Sequence, residues 1–528
     1  MSTGSPTKMA KTVVADEVPL TKTLLINFFH LLRQWPATVI FCIVALRFLF
    51  RRYVSPLRKY PGPFLASGTR LYSLILTARG RTHEEHVALH RKYGPIVRIQ
   101  PNQLSFSSPE AARQILSPGK GFHKTNFYWV FPPYENPDVF TEIREHVHAT
   151  KKRFVNQPYS LASFQALTPW IDKTIEILTN KLDNQAEIAG KVVDLGNFLH
   201  WFAFDVLGEM AFSSSFGFVE QEKDVDGAIN FIDNVQQYDG IVGQIPFLDY
   251  FLRRSPFWDY LPFVTPLANN HVTRTALSQI AAREDGTAVV DRRDLLSQLF
   301  EAHEKDPEKF DKGSVFAVAH GAIFAGSDST ASTMQTFMWN VLNNRSVYER
   351  LTEEIMNADQ NSQLGEIVTW EESQKCLSYF QACLKEAMRV GPAVGLAIYR
   401  KVPGLGTEID GAFVPGGTEL AVNAHVLHKD KAIFGDDADV FRPERWLTKE
   451  GDEKNEARVK NMDRHMFQFG GGSHVCIGRN LAILEMNKVL PQILRRYKFE
   501  LAYPGRPMKK NSTFFVVQEG LEVKIERR

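Results

Sequence analysis

The glycine-rich segment from Phe469 to Gly478 carries one cysteine, Cys476, whose sulfur could bind a metal ion. Three consecutive glycines precede Ser-His-Val-Cys-Ile-Gly, and a helical pattern over residues 479–496 follows directly. The N-terminal end of that helix should lower the pKa of the thiol and favour a thiolate. Such a thiolate binds a metal from one side and leaves the opposite side open for chemistry. The alternative is a buried structural cysteine, which is common for free cysteines.

Zinc fits this cysteine poorly, because a structural zinc site needs about four cysteine or histidine ligands at short spacings. The sequence contains only four cysteines, and they are too far apart for such a cluster: Cys42, Cys376, Cys383 and Cys476. The glycines instead give the backbone the freedom to approach a flat ligand closely. His474, two residues before Cys476, is positioned to bind a carboxylate of that ligand.

The segment resembles the cysteine-ligand signature of the cytochrome P450 superfamily, the haem-thiolate monooxygenases, which reads Phe-x-x-Gly-x-Arg/His-x-Cys-x-Gly. Its five marked places are filled by Phe469, Gly472, His474, Cys476 and Gly478. The resemblance implies haem b as the cofactor, with Cys476 as the axial ligand of the iron and the other four residues around the haem. Thiolate ligation pushes electron density onto the iron and favours cleavage of the O–O bond.

A Glu-x-x-Arg pair and a downstream arginine extend the resemblance. Glu386 and Arg389 lie in a predicted helix over residues 379–390, and Arg445 belongs to the motif Phe-Arg-Pro-Glu-Arg-Trp. In the family these three residues form a buried network behind the haem. Buried charges are tolerated only when they are paired, which agrees with such a network. Taken alone, Glu386 and Arg389 would be an exposed salt bridge.

A Pro-free helical pattern over residues 312–343 contains an acid followed by two alcohols, Asp328, Ser329 and Thr330. Splitting dioxygen consumes two protons, which a carboxylate and a neighbouring hydroxyl can relay. The family passes one long helix across the distal face of the haem. The resemblance therefore implies that Asp328 handles protons together with Ser329 or Thr330. The usual residue after the acid is threonine, so both hydroxyls stay candidates.

Further positions match the family less specifically. The resemblance implies that His148, Lys152 and Arg400 bind the haem propionates, although Lys152 stands where arginine is usual. For His148 and Lys152 the alternative is a solvated basic helix face. Residues 127–134 are aromatic and proline-rich, as a pocket lid or a packed surface loop would be. Substrate contacts are also expected from Phe324, Ala325, Val394, Leu396 and Ile398.

The resemblance implies a mainly α fold with smaller β-sheets, of the α+β class, with a long distal helix and a cysteine-ligand loop. We expect a polar tail with a first apolar stretch over residues 1–34 and a transmembrane anchor over residues 35–50. A basic, Pro-rich hinge over residues 51–63 and a catalytic domain over residues 64–528 follow.

The anchor prediction comes from the apolar residues 35–50, which only Arg47 interrupts. A membrane span needs about 20 apolar residues, so this stretch is slightly short. Arg51 and Arg52 follow it, which by the positive-inside rule places the catalytic domain in the cytosol. The family's microsomal members have this layout, so the resemblance implies a single-pass protein of the endoplasmic reticulum membrane. With a cytosolic catalytic domain, the sequons at Asn344 and Asn511 should be unused.

The function expected from the resemblance is that of a fungal monooxygenase of the pisatin-demethylase type. It would insert one oxygen atom from O2 into a small lipophilic polyketide, terpenoid or alkaloid of secondary metabolism. Its electrons would come from NADPH through a separate NADPH–cytochrome P450 reductase. With 62 basic and 60 acidic residues, the composition does not indicate a nucleic-acid partner. The alternatives are a haem-thiolate isomerase, dehydratase or peroxide-using enzyme, and a non-catalytic haem protein.

A docking surface for the electron donor is expected from six basic residues, which otherwise form an ordinary solvated surface. They are Lys151, Lys152, Arg153, Arg479, Arg495 and Arg496.

Overall fold

The computed structural model describes residues 35–255, 271–288, 290–449 and 451–528. The predicted tail and first apolar stretch over residues 1–34 lie outside the described residues. The fold is mainly helical with small β-sheets, which confirms the predicted class.

Twenty-one α-helices are described. Those in the first half of the chain are α1 (Pro36–Tyr53), α2 (Phe64–Gly68), α3 (Leu71–Ala78), α4 (Thr82–Tyr93), α5 (Pro109–Leu116), α6 (Glu145–Val155), α7 (Leu161–Gln165), α8 (Thr168–Ala186), α9 (Leu195–Phe212), α10 (Phe218–Gln221) and α11 (Ala228–Val242). Those in the second half are α12 (His271–Glu284), α13 (Leu295–Lys305), α14 (Lys312–Asn343), α15 (Arg345–Gln360), α16 (Trp370–Cys376), α17 (Ser378–Val390), α18 (Ala424–Leu427), α19 (Lys431–Phe434), α20 (Glu453–Arg464) and α21 (Arg479–Arg496).

The strands form four small sheets in the described chain. Their bounds are β1 (Ile96–Gln100), β2 (Gln103–Phe106), β3 (His123–Lys124), β4 (Val192–Asp194), β5 (Ile398–Lys401), β6 (Gly406–Ile409), β7 (Ala412–Pro415), β8 (Glu419–Val422), β9 (Tyr497–Leu501), β10 (Lys509–Ser512), β11 (Val516–Glu519) and β12 (Glu522–Arg527). The largest sheet has the order β1-β2-β8-β5-β3, and only its β2–β8 pairing is parallel. The others are β4-β12-β9, β10-β11 and β6-β7.

The transmembrane anchor predicted over residues 35–50 is not supported. Helix α1 covers this stretch but carries Arg47, Arg51 and Arg52 within its 18 residues. Within the part of the chain that the structure describes, no helix combines the length and the apolar character that crossing a membrane requires.

Helix α14 is the central helix of the fold. Its bounds confirm the helix predicted over residues 312–343. Its 32 residues span about 48 Å at 1.5 Å per residue. The side chain of Asp311 caps its first turn by accepting a hydrogen bond from the Ser314 N–H at 2.8 Å. Helices α9 and α17 pack along it within the largest apolar core. The prediction of a helix over residues 479–496 is confirmed by α21.

A fully buried ionic network ties α17 to the segment that precedes the cysteine loop. Glu386 accepts two hydrogen bonds from the Arg389 guanidinium, both at 2.8 Å, and one from Arg445 Nε at 2.9 Å. It also accepts hydrogen bonds from the Trp446 indole and the Arg442 backbone N–H, each at 2.8 Å. The side chains of the carboxylate and both arginines are 0% exposed.

The network satisfies its charges internally. Burial alone would raise the pKa of Glu386, but the hydrogen bonds and positive charges of Arg389 and Arg445 hold it below its ordinary value. Arg445 also contacts the half-buried Asp437 at 3.1 Å, so two carboxylates neutralise two guanidinium groups. Arg389 donates to the backbone carbonyl of His428 at 2.9 Å. The pairing therefore fixes chain segments that are far apart in sequence.

The substitution Glu386→Ala tests this constraint, because it leaves two guanidinium groups buried without their carboxylate. We expect the free energy of unfolding to fall by about 3–5 kcal/mol, as for other broken buried ion pairs. Denaturant unfolding followed by far-UV circular dichroism measures the change. Glu349→Ala is the control, since it breaks an exposed ion pair with Arg345 on α15 and should change little. Equal effects of the two substitutions would contradict the assignment.

Candidate active site

The cysteine loop is held by backbone geometry that requires glycine. The Cys476 N–H donates to the Phe469 carbonyl at 2.9 Å and closes the loop. Gly470 and Gly472 have φ angles of +74° and +61°, which side chains disfavour. A Cβ atom at Gly472 would lie 1.7 Å from the Leu116 carbonyl oxygen, so no other residue fits there.

The sulfur of Cys476 faces a large internal cavity between the loop and α14. Burial raises the pKa of the thiol, against the backbone N–H groups of Gly478 and Arg479 and the positive charge of Lys152. The helix start lowers this pKa through its N–H groups, as predicted, but desolvation outweighs them in the free thiol. The two N–H groups nevertheless point at the sulfur, where they stabilise a thiolate once a cation binds it.

His428 connects the ionic network to the cysteine loop. Its Nε2 accepts a hydrogen bond from the Phe467 N–H at 2.8 Å, two residues before Phe469. Its Nδ1 lies 3.1 Å from the Arg389 carbonyl, to which it donates. His428 is 0% exposed, and burial lowers its pKa to about 3, so the ring is neutral and bridges the two segments. The sequence analysis missed this residue because no local motif marks it.

Two alcohols of α14 line the wall of the cavity. The Ser329 hydroxyl donates to the Ala325 carbonyl and the Thr330 hydroxyl to the Gly326 carbonyl, both at 2.9 Å. All four residues line the cavity together with Cys476. Ser329 is half-buried, whereas Thr330 is 2% exposed.

Asp328 does not line this cavity, and its carboxylate is held by two side chains of other helices. Its Oδ1 lies 2.8 Å from Nε2 of His200 on α9, and its Oδ2 accepts a hydrogen bond from Gln236 on α11 at 2.6 Å. The sequence analysis assigned Asp328 to proton delivery together with one of the two hydroxyls. It missed His200 and Gln236, which lie about a hundred residues away and are marked by no motif.

Five basic side chains gather at one rim of the cavity. They are Lys124, His148, Lys152, Arg400 and His474. The His148 and His474 rings are stacked with centroids 4.1 Å apart. His474 Nε2 lies 3.1 Å from a Glu145 carboxylate oxygen.

The basic side chains at this rim lie close enough to repel one another when they are charged. Burial and the nearby Arg400 lower the pKa of Lys124 to about 7, and burial and Lys124 lower the pKa of His148 to about 3. An anionic ligand relieves such crowding, so the rim fits the two carboxylates of a haem. Lys124 was not anticipated from the sequence.

Lys152 lines the cavity and contacts the cysteine loop. Its ammonium group donates to the carbonyl oxygens of Ser473 and Val475 at 2.6 and 3.1 Å. These two residues flank His474 in the cysteine loop, so Lys152 braces the loop backbone.

The remaining walls are largely apolar. All five residues expected to contact a substrate line the cavity, as do Tyr128, Phe131 and Pro132 of the segment over residues 127–134. Phe514 and Phe515, before β11, also line it and were missed by the sequence analysis. An isolated bridge pairs Phe515 with Val394 and brings this C-terminal segment to the cavity.

The expected basic docking surface is only partly available. Arg153 and Arg479 are exposed, whereas Lys151 is 9% exposed and donates to the Pro137 carbonyl. The other members are engaged: Lys152 holds the loop, Arg495 pairs with Asp359 and Arg496 with Asp183.

The role of His428 is tested by His428→Leu, which leaves the buried Phe467 N–H without an acceptor. An unsatisfied buried donor costs about 1–3 kcal/mol, so we expect that loss in the free energy of unfolding. We also expect a smaller fraction of purified protein to contain haem, measured by absorbance. His428→Gln keeps a side-chain acceptor and should lose less; a Gln variant as impaired as the Leu variant would contradict the bridge.

Similarity to known proteins covers most of the chain. The family model for cytochrome P450 matches residues 61–525. The chain is 36% identical over 499 residues to cytochrome P450 monooxygenase cicH of Emericella nidulans, covering 92% of this chain and 97% of the relative. It is 34% identical over 500 residues to pisatin demethylase of Fusarium vanettenii, covering 93% and 92%.

A third relative is a longer protein. Cytochrome P450 monooxygenase mpaDE of Penicillium brevicompactum is 33% identical over 499 residues, which cover 93% of this chain and 58% of the relative. The family match extends from the segment before α2 to the last strand and contains both the cysteine loop and α14. The chain belongs to the cytochrome P450 family of haem-binding monooxygenases.

Proposed function

We propose that this enzyme inserts one oxygen atom of O2 into a small lipophilic molecule, with electrons from NADPH delivered by a separate reductase. The balanced reaction is RH + O2 + NADPH + H⁺ → ROH + H2O + NADP⁺. The observation that carries the proposal is that the Cys476 sulfur and the Ser329 and Thr330 hydroxyls line one largely apolar cavity. A ligand site, proton-relaying groups and room for an apolar molecule thus occur together.

The cofactor site uses both the loop and the rim. Haem, when bound, supplies the iron on which dioxygen is activated. We assign Cys476 as its axial ligand, with Phe469, Gly472 and Gly478 shaping the loop that faces it. The propionates are held by His148, Arg400 and His474, together with Lys124. Lys152 supports the loop by contacting its backbone carbonyls.

The proton path ends in the cavity at Ser329. Its hydroxyl is less buried than that of Thr330 and follows Asp328 directly in the chain, which supports it as the relaying group. Asp328 supplies the proton, which the Ser329 hydroxyl passes into the cavity.

The substrate is held by apolar contacts. Phe324 and Ala325 on α14 face it from the distal wall, and Val394, Leu396 and Ile398 from the segment that leads into β5. Few polar groups converge there, which supports a lipophilic substrate. The resemblance to pisatin-demethylase-type enzymes supports a polyketide, terpenoid or alkaloid of fungal secondary metabolism.

We propose that the protein contacts the endoplasmic reticulum membrane from its cytosolic face without a span in the described chain. Helix α1 exposes many large apolar side chains, and Phe64, Leu65, Phe247 and Phe251 are exposed too. The Arg70 guanidinium in the α2–α3 connection donates to the Gln244 carbonyl, which brings the N-terminal helices next to residues 246–251. Such an extended apolar surface is typical of a membrane contact.

The reaction class is tested by expressing the full chain with an NADPH-dependent reductase. We expect a thiolate-type Soret band for the reduced, CO-bound protein, and substrate-dependent NADPH consumption. Fungal metabolites that serve as substrates should gain one oxygen atom by mass. Product without NADPH consumption would favour an isomerase, dehydratase or peroxide-using enzyme.

Cys476→Ala should abolish the thiolate-type band, because it removes the axial ligand. Cys376→Ala is the matched control and should keep the band, since Cys376 at the end of α16 does not line the cavity. A thiolate-type band in the Cys476 variant would overturn the assignment.

The relay is tested by Ser329→Ala against Thr330→Val. Losing the relaying hydroxyl should lower the product formed per NADPH consumed by about tenfold or more, because protons arrive too slowly to keep pace. The measurement compares product with NADPH and hydrogen peroxide. A larger loss in the Thr330 variant would assign the relay to Thr330 instead.

A further inference from the structure

We propose that His200 carries protons from solvent to Asp328, and that Asp233 helps to keep His200 charged. The inference rests on the proposed monooxygenase function and names the residues that feed its proton path. Three features carry it: the enclosure of Asp328, the partial exposure of the His200 side chain that contacts it, and the acidic side chains around them.

Both carboxylate oxygens of Asp328 are engaged by side chains of other helices. His200 contacts Oδ1 at 2.8 Å and Gln236 contacts Oδ2 at 2.6 Å, while the Asp328 side chain is only 4% exposed. A proton donor enclosed in this way is reloaded through a group in contact with it. The group in contact with it that can exchange a proton is His200, since an amide such as Gln236 does not titrate.

His200 contacts Asp328 and keeps part of its side chain exposed. Its side chain is 15% exposed, and Phe204, one turn later on α9, packs near its ring with centroids 5.5 Å apart. The histidine can therefore take a proton from water on one side and donate it through Nε2 on the other. A purely structural partner would need only the hydrogen bond.

Acidic groups on three elements surround this histidine. They are Asp328 on α14, Asp233 on α11 and Asp224 before α11. Burial disfavours the charged ring, but the hydrogen bond and charge of Asp328, with the charges of Asp233 and Asp224, raise the pKa of His200 above its ordinary value. His200 is thus protonated over more of the neutral range than a free histidine.

Asp233 lies one turn before Gln236 on α11. Its Oδ1 is buried and has no hydrogen-bond partner among the described residues. Burial and the negative charges of Asp328, Asp224 and Glu519 raise its pKa to about 7, against the charge of His200. Asp233 therefore gains and loses a proton near neutral pH, close to the histidine that it supports.

The proposed cycle balances. The proton on His200 Nε2 moves to Asp328 Oδ1, which leaves a neutral imidazole and a neutral carboxylic acid. The acid no longer holds its ion pair, so it is free to turn and pass the proton to the Ser329 hydroxyl. Neutral His200 takes a new proton from water, and two such passages supply the two protons that each O2 consumes.

The test compares His200→Gln with the wild type in the reductase-coupled full-length enzyme. Glutamine can still donate to Asp328 but cannot titrate, so a structural role survives the change and a proton-carrying role does not. We expect the product formed per NADPH consumed to fall about tenfold at pH 7. We also expect it to become flat with pH, whereas in the wild type it falls as pH rises through the pKa of His200.

Asp233→Asn supplies the second variant. Removing a nearby negative charge destabilises the charged ring, so the wild-type fall should move to lower pH. His303→Gln on α13 is the control; that ring contacts the Phe310 carbonyl, and its profile should match the wild type. The thiolate-type Soret band reports that each variant is folded and binds haem.

The proposed function and the His200 proposal can be overturned separately. A wild-type enzyme without the thiolate-type band, or without a product that gains one oxygen, overturns the proposed function and the His200 proposal with it. A wild-type enzyme that has both, alongside a His200→Gln variant with wild-type coupling and pH profile, overturns the His200 proposal alone.

Discussion

The structure depends first on the burial of the Glu386 carboxylate among guanidinium groups. A buried ion is costly unless every partner is present, and here Arg389, Arg445 and Asp437 complete the set. Because the partners come from α17 and from residues 437–445, the cost is avoided only when these segments reach their native positions. His428 extends the same constraint to the Phe467 N–H, and thereby to the loop that presents Cys476. The position of one sulfur thus follows from a charge requirement in another part of the core.

The two sides of the cavity meet different physical demands. On the cysteine side, backbone groups do the work: glycine conformations, the N–H groups behind the sulfur and the loop carbonyls that Lys152 contacts. These groups do not titrate, apart from Lys152, and they fix the ligand. On the α14 side, titratable groups dominate, and in the proposed cycle His200 passes protons to Asp328 beside Asp233. Groups that do not titrate thus surround the proposed metal site, whereas groups that change protonation lie where the reaction consumes protons.

What could be predicted from the sequence follows from the same division. The bounds of α14 and α21 were predicted because each is a long helical pattern, although α21 contains Pro491, and Glu386, Arg389 and Arg445 belong to motifs with fixed spacing. Contacts made by isolated residues could not be predicted: His200, Gln236 and Lys124 reach the site through tertiary packing that their neighbours in sequence do not encode. The anchor predicted over residues 35–50 is not supported, because the prediction gave the apolar side chains more weight than the arginines of the same helix, α1. The net pKa shift of the free Cys476 thiol could not be predicted, because desolvation of the sulfur is a property of the folded cavity.

One departure from the family pattern changes the roles of several residues at the basic rim. Lys152 stands where the family usually has arginine, and its single ammonium group is committed to the carbonyls of Ser473 and Val475. An arginine could contact a loop carbonyl and a carboxylate together, because its guanidinium offers several donors in one plane. In the proposed site the propionates therefore rely on Arg400 and the stacked His148 and His474, with Lys124 beside them. Burial and mutual repulsion lower the pKa of Lys124 and of His148, so binding of the cofactor carboxylates and protonation of these two groups stabilise each other.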